Sequence, residues 1–436
     1  MEAGEAARIL GVKVATLYSY VSRGWVRAFP SGRHREKRYH RPDLERLRHR
    51  ANARLGHEAV AAGALRWGEP VLSSALTEIR PDGPWYRGHS ALELARTARF
   101  ESVAELLWTG VLPPVPPAWR RPRLRAGRSF ADPANPIGAL LAGLAATRLT
   151  RHRTREAGGG PSPGARRPGL GPRPGRGHAP RASGAAAQGR GPARPTEPAP
   201  AELVWTVVAL AAAASGTRPV AALAGPTLAA GLHRALGGRG TGSALVEATL
   251  VLSADHELNA SSFAARVAAS TGADLEACIL AALATFSGPR HGAESMRVQA
   301  LVAEAGTPAR ARATLLARVR RGETPPGFGH RLYPSGDPRG ALLLSLASRA
   351  ARSPRPLATL QALVREAERL RLGAPTLDVG LLAVAHSLRL PPSAAQVLFC
   401  VGRSAGWIAH VAEQRSSGEL LRPRARYVGP RDPGAR

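Results

Sequence analysis

The stretch from residue 201 to about residue 415 constrains the fold most, because apolar runs of helix length follow one another there with Gly or Pro between them. Alanine and leucine, which favour helix, dominate these runs. Aromatic residues make up only 5% of the chain. No sustained alternation of apolar and polar residues, which would indicate half-buried strands, occurs in this stretch. The sequence therefore predicts an all-α main body.

A segment rich in Pro, Gly and Arg, residues 151–200, interrupts this pattern. Its only large aliphatic residue is Leu170, so the segment cannot bury enough apolar surface to offset the entropy of ordering it. We therefore predict that residues 151–200 are disordered. A frameshifted reading of GC-rich DNA would give the same composition, and the sequence alone leaves that alternative open.

The charge balance indicates what the chain could bind. It has 61 Lys and Arg against 31 Asp and Glu, a formal net charge of +30, which is typical of proteins with anionic partners such as nucleic acid, phosphates or carboxylates. Codon bias in a GC-rich genome would account for part of the arginine excess. Cys278 and Cys400 stand in apolar helical contexts and predict buried free thiols. We expect a cytoplasmic protein without a signal peptide or membrane span, since the longest apolar run is too short to cross a bilayer.

Residues 1–50 predict a separate small unit. A short helix ends at Gly11, and a second runs from Val14 to Val21, which is the arrangement of a helix-turn-helix. A small hairpin around Ser31 and a further helix after Pro42 would follow. The run LGVKVATLYSYVSRG resembles the winged helix-turn-helix modules of MerR-type and excisionase-type DNA binders. That resemblance implies that the side chains facing DNA would be those of Thr16, Tyr18, Ser19, Arg23 and residues 35–38. The alternative is a docking domain that does not bind DNA.

Polar residues are concentrated in a few short blocks of the apolar main body. These blocks are DHELNAS (255–261), GPRHG (288–292), GFGHRLYPSGDPR (327–339), TLD (376–378), GRSAGWIAHVAEQ (402–414) and RPRARYVGP (422–430). Each block alone has an ordinary explanation as a loop, a helix cap or surface charge. Together, in this order, they resemble the citrate synthase family, over roughly residues 65–115 and 201–430.

The resemblance implies a reaction and the residues that carry it out. Asp378 would remove a methyl proton of acetyl-CoA, His291 would hydrogen-bond the thioester oxygen, and His330 would donate to the ketone of oxaloacetate. The side chains implied for the substrate carboxylates are His256, Arg339, Arg403 and Arg422, with Arg331 assigned weakly to CoA. The reaction needs no metal and no tightly bound cofactor, because acetyl-CoA is a co-substrate. Ala293 departs from the family's second glycine, next to the thioester site.

The resemblance also implies an architecture: a citrate synthase fold with large and small helical domains, preceded by the small winged helix-turn-helix domain of residues 1–50. The large domain would comprise residues 55–290 and 391–436, and the small domain residues 291–390. In the family the terminal arginine reaches into the other subunit, so Arg422 predicts a homodimer with shared active sites. Two alternatives stay open: a 2-methylcitrate synthase that uses propionyl-CoA, and a DNA-binding transcriptional regulator that uses the synthase fold as a metabolite sensor.

Overall fold

The computed structural model describes residues 2–30, 37–39, 43–44, 47, 72–122, 131–158, 197–217, 219–351, 353, 355–425 and 429. The chain divides into two compact units, Met1–Ser73 and Ser74–Arg436. The predicted end of the first unit at residue 50 lies outside the described residues. None of the helices among the described residues is both long and apolar enough to cross a membrane.

The first unit has the two helices and the hairpin that the sequence predicts. Helix α1 (Ala3–Leu10) ends at Gly11, whose φ of 64° is left-handed, and α2 (Val14–Ser22) follows after a short turn. Strands β1 (Ala28–Pro30) and β2 (Lys37–Tyr39) pair antiparallel. A small apolar core that includes Leu17 stabilises the unit. Most of the helix predicted after Pro42 lies outside the described residues.

The second unit begins with a small antiparallel sheet, which corrects the all-α prediction. Its strands are β3 (Thr77–Arg80), β4 (Gly83–Tyr86) and β5 (His89–Ser90). Gly83 has a φ of 127°, which lets the chain turn sharply between the first two strands. Strands of two to four residues are too short to show an apolar alternation.

Helices are the main secondary structure in the described remainder of the second unit. They are α3 (Ala91–Thr97), α4 (Phe100–Thr109), α5 (Pro136–Gly158), α6 (Pro200–Ala214), α7 (Pro219–Leu223), α8 (Leu228–Ala235), α9 (Ser243–Ser253), α10 (Ala260–Ser270), α11 (Leu275–Phe286), α12 (Glu294–Ala305), a 3₁₀ turn (Pro308–Arg310), α13 (Ala311–Arg320), α14 (Pro338–Ala350), α15 (Arg355–Arg369), α16 (Leu377–Ser387) and α17 (Ala394–Ser417). The helical character predicted for the main body is confirmed.

The prediction of disorder for residues 151–200 is wrong for the first residues of that segment. Helix α5 continues through residue 158, and Arg148 binds Asp274 at 2.7 Å while Arg151 lies 3.3 Å from Glu276. These ion pairs hold the end of α5 against α11, so the first eight residues of the Pro-, Gly- and Arg-rich segment are helical rather than disordered. Residues 159–196 lie outside the described residues.

Helix α17 is the central element of the main core and is buried along most of its length. Gly402 and Gly406, one turn apart, let it approach α9 closely. A Cβ at Gly402 would come within 2.8 Å of the Leu250 carbonyl, and a Cβ at Gly406 would clash with the Ala254 carbonyl. Because the backbones approach this closely, the end of α9 and the middle of α17 meet at one place.

A second, smaller core lies among the helices between residues 301 and 367. It consists of Leu301, Ala305, Ala311, Leu315, Phe328, Ala362, Leu363 and Ala367. Helices α14 and α16 contribute instead to the main core, and they pack tightly on each other through Gly340 and Gly380.

Candidate active site

His256 stands just after α9 and is 9% exposed. Its Nε2 lies 3.0 Å from the Tyr333 hydroxyl, and its ring centroid lies 5.5 Å from that of His330. Burial, together with the charges of Arg339 and Arg403, holds the pKa of His256 well below its usual range. The ring is therefore neutral near pH 7 and can exchange hydrogen bonds without carrying charge.

His330 lies on the loop between α13 and α14, with its ring 5.0 Å from that of Tyr333. Its Nδ1 accepts a hydrogen bond from the Leu332 N–H at 3.2 Å. Burial lowers the pKa of His330, and the charge of Arg339 lowers it further. A neutral ring whose Nδ1 accepts must carry its proton on Nε2, so His330 presents an N–H donor there.

Arg339 is 3% exposed and is held by Asp337 two residues earlier. Its Nε and Nη2 donate to the two oxygens of that carboxylate at 3.0 and 2.8 Å. Burial opposes the charge on Arg339, but the Asp337 carboxylate outweighs it and raises the pKa of the guanidinium. Asp337 Oδ2 also accepts the Leu377 N–H at 3.1 Å, which ties Arg339 to the first turn of α16.

Asp378 stands in that first turn, where backbone hydrogen bonds align it with the His330 loop. The Gly329 N–H donates to the Ala374 carbonyl and the Thr376 N–H to the Gly327 carbonyl, both at 2.9 Å. Asp378 Oδ1 is buried without a hydrogen-bond partner among the described residues. Burial, reinforced by the charge of Glu294, raises the pKa of Asp378 to about 7. An unpartnered carboxylate with such a pKa is suited to accept a proton.

His291 lies between α11 and α12 in aromatic surroundings. Its ring centroid is 5.3 Å from that of Phe286 and 6.3 Å from that of Phe399. Its Nε2 is 2.8 Å from Ser261 Oγ, which also accepts the Trp407 Nε1–H at 2.9 Å. Burial, assisted by the charge of Arg403, lowers the pKa of His291 to about 4, so the ring is neutral near pH 7.

Arg403 is a second buried guanidinium, 1% exposed, on α17. Its Nε donates to the Ser253 carbonyl at 2.8 Å, and its Cζ lies 5.0 Å from the centre of the Phe399 ring. Burial lowers the pKa of Arg403 to about 10, although the charge of Asp255 opposes that shift. Desolvation of this size favours binding of an anion, because an incoming carboxylate would restore the lost stabilisation of the charge.

The structure brings six of the eight predicted site residues to one region of the second unit: His256, His291, His330, Arg339, Asp378 and Arg403. The other two, Arg331 and Arg422, are exposed. Arg422 lies in the segment after α17 and has no recorded contact with the other six among the described residues. Sequence reasoning missed five residues that hold this region together, namely Ser261, Tyr333, Asp337, Phe399 and Trp407. Four of them lie inside the quoted motifs, but nothing in one sequence shows which side chains they contact.

Comparison with known proteins places these motifs in a family. The family model "Citrate synthase, C-terminal domain" matches residues 186–424. "Putative citrate synthase 2" of Mycobacterium tuberculosis is 39% identical over 190 residues, which are 42% of this chain and 51% of that protein. "2-methylcitrate synthase" of Shewanella oneidensis is 35% identical over 191 residues, covering 42% of this chain and 50% of that protein. The chain thus spans about half the length of the curated relatives it matches.

Solved structures share the fold over a longer part of the chain. The citrate synthase of Thermotoga maritima superposes with a TM-score of 0.61 at 22% identity, covering 84% of this chain and 95% of that one. A ternary complex of the Thermoplasma acidophilum citrate synthase with carboxymethyl coenzyme A and oxaloacetate gives a TM-score of 0.63 at 22% identity, covering 84% and 96%. At this identity the likeness concerns the fold.

Proposed function

This chain belongs to the citrate synthase family, and on that premise we propose that it joins the methyl carbon of acetyl-CoA to the ketone carbon of oxaloacetate, giving citrate and CoA. One observation carries the proposal above the others. Asp378, whose buried Oδ1 has no hydrogen-bond partner among the described residues, stands in the same region as two neutral histidines, His291 and His330, and two buried guanidiniums. That set contains a base, two donors and an anion receptor.

The base and one histidine would act together on the thioester. A thioester methyl group is far too weak an acid for a free carboxylate to deprotonate, so the developing enol must be stabilised as the proton leaves. Asp378 takes the methyl proton, and its pKa of about 7 is high enough for it to hold that proton. Neutral His291 donates a hydrogen bond to the thioester oxygen, where negative charge develops.

The second histidine would act on the other substrate. The His330 Nε2–H, fixed by the hydrogen bond that Nδ1 accepts from Leu332, donates to the ketone oxygen of oxaloacetate as the carbon–carbon bond forms. Hydrolysis of the resulting citryl thioester then releases CoA and makes the condensation practically irreversible.

The carboxylates of oxaloacetate would bind to Arg339 and Arg403, with His256 adding a contact. Arg339 is held rigid by Asp337, so little side-chain entropy is lost on binding. Arg403 donates only its Nε to another described residue, which leaves the two terminal nitrogens for a carboxylate. The charges of both guanidiniums lower the pKa of His256, and the charge of Arg339 also lowers the pKa of Arg403. The two groups therefore lie close to each other, and an anion bound between them would be strongly stabilised.

The acyl group is a second part of the proposal. Relatives of this chain include proteins named citrate synthase and 2-methylcitrate synthase. We propose acetyl-CoA as the substrate and keep propionyl-CoA, which would give 2-methylcitrate, as the alternative. Ala293 stands two residues after His291, where the family often has a glycine.

We further propose a homodimer in which Arg422 completes the partner's site. In this chain Arg422 is exposed and lies apart from the other predicted residues, as expected if it serves another copy. We also propose a large domain (55–290 and 391–436) and a small domain (291–390); the separate core among residues 301–367 supports the small domain, whereas α14 and α16 pack into the main core. Arg331, exposed on the His330 loop, remains our weak assignment for CoA.

For the first unit we propose DNA binding as a second activity. Its α2 presents an exposed Tyr18, 53% accessible, and Trp25 is 50% exposed beneath the Arg23 guanidinium at 5.5 Å. Exposed aromatic and basic groups next to two short helices and a hairpin suit contact with a duplex. Salt-dependent retardation of duplex DNA that Arg23→Glu weakens would support this activity, whereas no retardation at low salt would contradict it.

One assay tests the proposed reaction. The protein is mixed with acetyl-CoA and oxaloacetate, and release of the CoA thiol is followed with a thiol reagent. Release should need both substrates and should disappear in His291→Ala, while propionyl-CoA gives a slower rate. A faster rate with propionyl-CoA would favour the methylcitrate reading. No release with either acyl-CoA, alongside specific DNA binding, would favour the regulator that senses a metabolite.

A further inference from the structure

Ser261 Oγ, at the start of α10, has three polar partners. It lies 2.7 Å from Asn259 Oδ1, 2.8 Å from His291 Nε2 and 2.9 Å from Trp407 Nε1. A hydroxyl has one hydrogen to donate and two lone pairs with which to accept. Three partners therefore use its full capacity, and each partner must take one specific role.

Two of the three roles are fixed by chemistry. The indole N–H of Trp407 can only donate, so it occupies one lone pair of Ser261 Oγ. Asn259 Oδ1 can only accept, and the orientation of its amide is set because the same oxygen caps α10 by accepting the Ser261 and Ser262 N–H groups at 3.1 and 3.2 Å. The Ser261 hydroxyl hydrogen must then point to Asn259.

The role of His291 follows from the roles of the other two partners. Only one lone pair of Ser261 Oγ remains, so His291 must donate to it from Nε2. Since His291 is neutral near pH 7, its Nδ1 then carries no hydrogen and can accept but not donate. Nδ1 is also the ring nitrogen that Ser261 leaves available to a ligand.

We propose that Asn259, Ser261 and Trp407 hold His291 in its Nε2–H tautomer in the unliganded protein, and that rotation of the Ser261 hydroxyl from Asn259 to His291 is the step that makes Nδ1 a donor. When the hydroxyl turns, Nδ1 takes a proton from water and Nε2 returns one to water, so the ring is neutral before and after the exchange. The second half of this proposal rests on the proposed function, in which His291 donates to a thioester oxygen. The first half, the resting tautomer, does not.

Asn259 is thus a positioning residue that competes with His291 for one proton. Its competition has a cost when the hydroxyl turns away, because Asn259 Oδ1 and Ser261 Oγ would then face each other at 2.7 Å without a hydrogen between them. Acyl-CoA binding supplies the compensating hydrogen bond from Nδ1. The site is consequently in its donating form only when a thioester oxygen is present.

The test is nitrogen NMR of the full-length protein labelled with ¹⁵N in histidine, with the His291 signals identified by their loss in His291→Gln. We expect Nε2 protonated and Nδ1 unprotonated in the unliganded wild-type protein. In Asn259→Gly the competing acceptor is gone while an acceptable N-cap residue remains, so the Ser261 hydroxyl donates to Nε2 and the pattern reverses to Nδ1–H. Trp407→Phe is the matched control. It removes another hydrogen bond from the same oxygen but leaves Asn259 in place, so the Nε2–H pattern persists.

A wild-type protein with Nδ1–H, or an Asn259→Gly protein that folds and keeps Nε2–H, would overturn the proposal. The wild-type measurement decides the resting tautomer even if the glycine variant does not fold. Failure of the proposed function would look different: the tautomers would behave as stated, but no thiol would be released from acetyl-CoA and oxaloacetate.

Discussion

Asp378 Oδ1 is buried and has no hydrogen-bond partner among the described residues. The proposed role of Asp378 as a base needs both features. A hydrogen-bond donor beside Asp378 Oδ1 would stabilise the carboxylate and lower its pKa, making it a weaker base. The chain leaves that oxygen without a partner among the described residues, and the pKa rises to about 7. Under the proposed function, the residue that accepts the proton is therefore also expected to reduce the stability of the fold at pH values where its carboxyl is ionised.

Asp378→Asn tests the proposed role of Asp378 as the catalytic base. The amide has the same shape but cannot accept the methyl proton, so kcat should fall by about 10²–10⁴-fold. Oxaloacetate should still raise the melting temperature, because Arg339 and Arg403 are unchanged. Thiol release and thermal shift in the same preparation check both statements. Wild-type turnover in this variant would show that another group is the base.

The pH profile is a second test at this residue. The carboxylate must be ionised to act as a base, so kcat/KM should fall as pH decreases below about 7, the pKa of Asp378 in the unliganded protein. The pKa of His291 is about 4, so protonation of this ring does not change kcat/KM in this pH range. A profile that is flat from pH 8 to pH 5.5 would contradict the assignment of Asp378.

The same residue links stability to pH. The folded pKa of about 7 is raised above the unfolded value of about 4. The contribution of this carboxyl to stability is therefore fully present below pH 4 and is lost as pH rises through 7. Asp378→Asn lacks this titration, so its unfolding free energy relative to wild type should increase by about 1–3 kcal/mol from pH 5 to pH 8. Urea unfolding at the two pH values measures the difference, which would be constant if Asp378 were not buried as described.

At the scale of elements, the site depends on the close approach of α9 and α17. The sequence was sufficient to predict most helices, since their apolar runs and Gly or Pro boundaries are local features. It could not predict the β3–β5 sheet, whose strands are too short, or the helical state of residues 151–158, which depends on ion pairs with distant α11. Contacts such as that of Trp407 with Ser261 join residues 146 positions apart, and no local pattern encodes them.

Gly406→Ala tests the close helix approach. The added Cβ would clash with the Ala254 carbonyl and the Asp255 side chain, so we expect a loss of about 1–3 kcal/mol of unfolding free energy from overpacking. Because Asp255 precedes His256, KM for oxaloacetate should also rise. Ser416→Ala on the exposed end of the same helix is the control and should change stability by less than about 0.5 kcal/mol. Equal effects of the two substitutions would contradict the packing described for α17.

At the scale of the whole molecule, one chain brings six of the eight predicted site residues together. The other two, Arg331 and Arg422, are exposed. A twofold dimer would bring Arg422 of each copy to the site of the other, because an isologous interface exchanges equivalent groups. The family motif near the end of the chain led to this expectation.

Mixed dimers test the shared site. Asp378→Asn and Arg422→Ala should each be nearly inactive as homodimers. When the two are unfolded and refolded together, about half of the dimers are mixed, and each mixed dimer has one site with both native residues. Activity should therefore return to about a quarter of the wild-type value. No recovery, with mixed dimers demonstrated by differently tagged chains, would place Arg422 and Asp378 in the same subunit's site or remove Arg422 from the site.

Following the reacting carbon is the most direct test of whether this chain forms a carbon–carbon bond between two substrates. Acetyl-CoA labelled with ¹³C at the methyl carbon is incubated with oxaloacetate and the protein, and the products are examined by carbon NMR. We expect the methyl signal to be replaced by a methylene signal of citrate, in equal amount to the CoA thiol released. Label that remains in acetyl-CoA, or appears as free acetate from simple thioester hydrolysis, would contradict it.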